Sequence, residues 1–147
     1  MVRTITSPEL ENLTALGHIK REPGTKLEFD GVVASALARY ADAKNTALAL
    51  EGRFDLAYNS APALSLAALR HRGYRSDNRY MAFQTVPHTL GVDAPTWRVL
   101  AKAHQRRSLA EYEGIVDVDE TLLADVLAAV EVMRRAVQKL PLRKAKP

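Results

Sequence analysis

Eleven consecutive residues, Ala103 to Glu113, hold the densest group of side chains in this chain that could do chemistry together. His104 carries a ring that titrates near neutral pH. Arg106 and Arg107 are permanent cations whose planar forks match phosphate oxygens. Ser108 and Tyr112 add hydroxyls, and Glu111 and Glu113 add carboxylates. At helical spacing, His104 falls one turn before Arg107 and Ser108 on the same face, while Leu100, Ala103, Leu109 and Ala110 form an apolar side. An Arg beside a phosphate can stabilise charge that builds in a transition state. A His can take or give the proton, whereas a Tyr with a pKa of about 10 is a poor base and a usable donor. The same stretch also reads as a solvated basic helix face. In that reading Arg106 and Arg107 pair with Glu111 or Glu113, Tyr112 packs against a helix end, and His104 is a surface residue.

The surrounding sequence is basic as well. Arg70 to Arg107 includes eight Arg and Lys (Arg70, Arg72, Arg75, Arg79, Arg98, Lys102, Arg106 and Arg107) against Asp77 and Asp93, a local balance of +6 in a chain of +4 overall. A basic middle of this kind suits an anionic partner, RNA or a nucleotide, with Arg75, Arg79, Lys102 and Ser108 as candidate contacts. It suits plain solvation equally.

Composition narrows the other possibilities. The chain has 147 residues and 47% hydrophobic content, enough for one domain with a real core. No apolar run approaches the ~20 residues of a membrane span, and Met1 to Pro8 lacks the apolar core of a signal peptide. Without Cys there is no disulfide, thiolate nucleophile or Cys metal site. His18, His71, His88 and His104 lack the spacing of a helical zinc motif. The expectation is a cytoplasmic protein with no membrane partner and no obligate metal or cofactor.

Periodicity predicts the elements that must position these residues. A short helix runs from Pro8 to Gly17, capped by Ser7, with Leu10, Leu13 and Leu16 as its apolar face. His18 to Gly24 reads as a polar connection. Thr25 and Glu28 have capping-box spacing and open a helix to about Leu50. Gly52 then separates a third helix, Arg53 to Arg72, kinked at Pro62 and lined by small residues that admit a close neighbour. Tyr74 to Asn78 reads as a loop, and a short helix spans Arg79 to Leu90. Asp93 caps the helix that carries the opening stretch to Glu113, and Gly114 ends it. Asp117 and Glu120 signal the last helix, which presents Leu122, Val126, Ala129, Val130, Met133, Val137 and Leu140 and stops at Pro141. No strand pattern, internal repeat or glycine-rich phosphate loop is visible. The prediction is an all-α, antiparallel up-and-down helical bundle of four longer helices and two short ones. It divides into residues 1–24 (short helix and connection), 25–140 (bundle) and 141–147 (a basic flexible tail). Trp97 and the small residues of the Arg53–Arg72 helix suggest a further apolar surface for a two-fold homodimer.

Three fragments in this order carry a resemblance. The first is Arg53 to Ala61 with Ala67-Ala68-Leu69 and Gly73-Tyr74-Arg75. The second is Thr89-Leu90-Gly91, and the third is Arg106 to Gly114 followed by Asp119-Glu120. Over about residues 25 to 140 the chain resembles bacterial HEPN-domain proteins (higher eukaryote and prokaryote nucleotide-binding). The resemblance implies a helical bundle, commonly a homodimer, in a toxin–antitoxin or defence type system, with an antitoxin or a small nucleotidyltransferase as partner. Active members of the family are metal-independent endoribonucleases. Their signature is an Arg, a polar neighbour and a His four to six residues on, facing a second copy across the dimer cleft. By position the Arg is Arg107 or Arg106, the neighbour is Ser108, and Tyr112 stands where the His belongs. His104, on the other side of the Args, is the alternative proton handler. The resemblance therefore implies either a ribonuclease or a non-catalytic module that binds nucleotides, nucleic acid or a partner protein.

Overall fold

The computed structural model describes residues 7–141. Seven helices and one two-stranded ribbon follow in order among them: α1 (Pro8–Ala15), β1 (Lys20–Arg21), α2 (Lys26–Ala43), α3 (Leu50–His71), β2 (Tyr74–Arg75), α4 (Arg79–Gln84), α5 (Val86–Thr89), α6 (Ala94–Glu113) and α7 (Glu120–Gln138). The fold is an all-α helical bundle, with α2, α3, α6 and α7 as its four long members. Residues 1–6, and residues 142–147 of the expected basic flexible tail, lie outside the described residues.

Local chemistry sets most helix boundaries. Ser7, Thr25, Asp93 and Asp119 each accept a backbone N–H from the first turn of the helix they precede, which satisfies a donor that has no partner inside the helix. Gly114 closes α6 at φ +68, where a residue with a Cβ is strained. Asp117, expected as a start signal for α7, instead forms an ion pair with Arg106, and the cap falls to Asp119.

Contacts between helix ends fix the directions. Phe29 near the start of α2 meets His71 at the end of α3, with ring centroids 5.5 Å apart. At the opposite ends, Arg53 Nε donates to the Ala43 carbonyl at 2.9 Å. These two helices are therefore antiparallel. Asp55 and Tyr58 of α3 meet Arg107 and His104 of α6 in reversed order, so α6 runs against α3. His71 and Pro141, at the ends of α3 and α7, meet at 2.6 Å, and α7 returns alongside α3. The order is up, down, up, down.

The main core joins α2, α3, α6 and α7 through Tyr40, Phe54, Leu64, Phe83, Leu100, Leu123, Val126, Val130 and Met133, all buried. Twelve residues of α3 are buried, more than any other helix contributes, which makes α3 the central member. Ser60 and Ser65 lie within it without leaving a polar orphan, because each hydroxyl donates to the carbonyl one turn back at 2.8 Å. The helix also runs through Pro62 without a break.

Several expectations are corrected. α2 stops at Ala43 and α3 starts at Leu50, so the break is at residues 44–49 and Gly52 lies inside α3. Asn45 supplies the turn there, its side-chain oxygen accepting from the Ala47 N–H at 3.0 Å. The segment from Arg79 to Leu90 is two short helices, because Pro87 sits in the first turn of a new one. Among the described residues there are thus three short helices rather than two. The presumed polar connection and loop pair as a ribbon, Lys20 opposite Arg75 and Arg21 opposite Tyr74. Two residues per strand are too few to show alternation. Tyr74 on this ribbon and Ile19 just before it pack with Leu10 and Leu69 as a second small core, while Leu16, expected on the apolar face of α1, is 62% exposed.

Candidate functional site

The helix that carries the reactive stretch meets α3 at His104 and Arg107. The Tyr58 hydroxyl and His104 Nδ1 are hydrogen-bonded at 2.8 Å. On its face the imidazole stacks against Tyr80, ring centroids 4.3 Å apart and planes inclined by 25°. Tyr58 itself is held between Phe54, stacked at 6.5 Å, and Phe83, edge-on at 6.3 Å. The Arg107 guanidinium lies 5.6 Å from the centre of the Tyr58 ring and forms an ion pair with Asp55. Asp55, Tyr58, Tyr80, His104 and Arg107 therefore form one connected group where α3, α4 and α6 meet.

Electrostatics give the group its character. Burial holds the His104 imidazolium below its ordinary range, because a charged ring loses hydration that the protein does not replace. The ring is neutral at pH 7. Burial also pushes the Tyr58 phenol upward, while the positive charges of Arg79 and Arg107 pull it down more weakly. Tyr58 thus keeps its proton, with two cations near its oxygen.

The remaining candidates separate. At 100° per residue, Lys102 and Arg106 fall about 160° around α6 from His104, and both turn away from the group: Lys102 is exposed and Arg106 pairs with Asp117. Ser108 follows Arg107 on α6 and is partly buried. Tyr112 is 80% exposed and packs on no core, contrary to the reading of it as a packed aromatic. Arg79 opens α4 on the surface, close enough for its charge to act on Tyr58. Arg75 belongs elsewhere, tied to Glu22 at 2.9 Å and Asp77 at 3.4 Å. Arg70 is likewise paired, with Glu28 and Glu22. Much of the +6 read from the sequence is thus met by carboxylates from other parts of the chain.

Tyr58, Tyr80 and Asp55 complete the group and were not among the site residues expected from the sequence. Tyr58 stood out in the Arg53–Ala61 fragment, where with Asn59 it reads as helix packing and a polar cap rather than as chemistry. Tyr80 carries no local signal, since its role depends on α4 folding back over α6. Among the described residues, no three His, Asp or Glu side chains are grouped so as to hold a metal ion, and no helix is long and apolar enough to cross a membrane. Compared with protein-family models, curated proteins and solved structures, the chain matches none of them.

Proposed function

We propose that this chain is a HEPN-like protein of a toxin–antitoxin or defence type system, and that the group around His104 is the centre of a metal-independent endoribonuclease. The observation that carries the reading is a partly buried imidazole, its neutral form favoured by that burial, bonded at Nδ1 to the Tyr58 hydroxyl and lying one helical turn from the Arg107 cation. Neutral His is the form that can accept a proton. If Nδ1–H donates to the Tyr58 oxygen, the lone pair of Nε2 is left for a ribose 2′-hydroxyl. The 2′-oxygen attacks the adjacent phosphorus, Arg107 stabilises the charge gathering on the phosphoryl oxygens, and the bond to the 5′-oxygen breaks as that oxygen takes a proton. The solvent-exposed Tyr112 hydroxyl is an available donor for that last transfer. Arg79 contributes positive surface for the RNA backbone, in a homodimer that brings two copies of the group to face each other.

One observation favours a second reading. Arg106 and Arg107 already have carboxylate partners in Asp117 and Asp55, as in a non-catalytic module whose cleft binds a nucleotide, nucleic acid or a partner protein such as an antitoxin or nucleotidyltransferase. Incubation of the purified protein with a mixed RNA pool, with EDTA and with added divalent metal, separates the two. The enzyme reading expects cleavage in EDTA, and a loss of about 10²–10³ in rate for Arg107→Ala, the range for removing one charge-stabilising donor. RNA left uncut by both wild type and Tyr112→His, which restores the family's usual residue, ends that reading and leaves the binding module.

A further inference from the structure

One groove in the fold is lined by none of the residues around His104. It is an open groove of about 710 Å³ between α5 and the C-terminal half of α7, lined by Arg72, Pro87, His88, Thr89, Leu90, Gly91, Val132, Arg135, Ala136, Lys139 and Leu140. Its volume is that of a small-molecule site. Three of the lining residues are permanent cations, and none is a carboxylate. Lys139 makes no ion pair among the described residues, and Arg135 has only the outer share of Glu131. That carboxylate also binds Arg134 at 2.9 Å and Tyr40 at 3.0 Å, against 3.2 Å for Arg135. Glu9 lies within electrostatic reach of His88 and is the other acid nearby.

Two further features point to a ligand rather than to a solvated basic surface. Thr89 is 2% exposed, and its hydroxyl is without a hydrogen-bond partner among the described residues. Buried polar atoms are rarely left so, and such an orphan on a cavity wall calls for a partner. Leu90, Pro87 and Leu140 give the groove an apolar part, beside Val132, which is 43% exposed on α7.

We propose that this groove binds a phosphate monoester with an apolar body, its phosphate met by Arg72, Arg135, Lys139 and the Thr89 hydroxyl and its body lying on Leu90, Val132 and Leu140. Three fixed cations suit a phosphate group of charge about −1.5 to −2 better than a single carboxylate. The site is separate from the one proposed for RNA and stands whether or not that reading holds.

The test is calorimetric titration of the full chain with phenyl phosphate, inorganic phosphate and benzyl alcohol, alongside amide-resolved NMR. Phenyl phosphate should bind at least tenfold more tightly than inorganic phosphate, benzyl alcohol should not bind measurably, and the shifted amides should be those of residues 88–91 and 132–140. Lys139→Glu and Val132→Asp alter exposed positions, so the fold is retained, and each should weaken phenyl phosphate at least tenfold. Unchanged affinity in both variants overturns the proposal. So does inorganic phosphate binding as tightly as phenyl phosphate, or amide shifts centred on His104 instead.

Discussion

Tyr58→Phe tests the direction of one proton. The substitution keeps the ring that packs on Phe54, Phe83 and Arg107 and deletes only the oxygen bonded to His104 Nδ1 at 2.8 Å. If His104 donates to Tyr58, as the general-base role requires, the bond exists in both protonation states and is stronger in the charged one. A neutral hydrogen bond contributes about 1 kcal/mol and a charge-assisted one about twice that. The difference of about 1 kcal/mol favours the imidazolium and, at 1.36 kcal/mol per unit, removing it should lower the His104 pKa by about 0.7. If Tyr58 donates instead, the bond favours the neutral ring, and its removal should raise the pKa by a similar amount. NMR titration of the His104 ring protons in wild type and Tyr58→Phe reads the sign directly. A rise refutes the proposed base, since Nε2 would then carry the proton. A fall also predicts that the pH–rate profile of any RNA cleavage moves down with it.

Other outcomes follow from the fold. Asp119→Ala removes the cap of α7 and should cost about 1 kcal/mol in urea unfolding, whereas Asp117→Ala breaks an exposed ion pair and should change stability by less than about 0.5 kcal/mol; equal losses would mean the cap is misassigned. Glu131 is held at about 2, below the usual 4.5, chiefly by Arg134 and also by Tyr40 and Arg135. Its folded pKa is depressed, so the unfolded chain binds the proton more readily. The stability it contributes is present above about pH 4.5 and is lost as pH falls toward 2. Glu131→Gln should therefore flatten the loss of urea midpoint across that window, and a slope as steep as wild type would count against the network. Leu64, fully buried on α3, should cost about 2–5 kcal/mol on replacement by Ala, measured as a lowered urea midpoint at unchanged slope.

What the sequence disclosed was mostly short-range. Ser7, Thr25 and Asp93 cap helices because the acceptor and the orphan N–H are only three residues apart, and Gly17 and Gly114 end helices by their own backbone freedom at φ +79 and +68. Gly52 misled because a glycine in an exposed helical turn, with nothing near its missing Cβ, costs about 1 kcal/mol, which packing by Phe54 and Ala57 overrides. His104 and Arg107 were legible as chemistry but their partners were not. Tyr58 is 46 residues from His104 and Asp55 is 52 from Arg107, so only the crossing of α3 and α6 brings them together. The same distance effect dissolved the basic middle: Arg70 and Arg75 are answered by Glu22 and Glu28, which belong to another part of the chain.

The interior of α3 is built from Ala57, Ser60, Ala61, Ala63, Ser65, Ala67 and Ala68, each 8% exposed or less. Such a spine has little to lose by trimming and little room to grow. One added methylene at these positions forces neighbours on two sides to move at a cost of about 1–3 kcal/mol, and a large side chain would push α2 and α7 apart. Mutational tolerance at these small positions is therefore one-sided, bounded in size far more tightly above than below, whereas Phe54, Leu64 and Leu69 on the same helix are bounded below. Random variation that reaches these small positions should survive as Ala or Ser, and diversification of this chain will have to come from its outer helices.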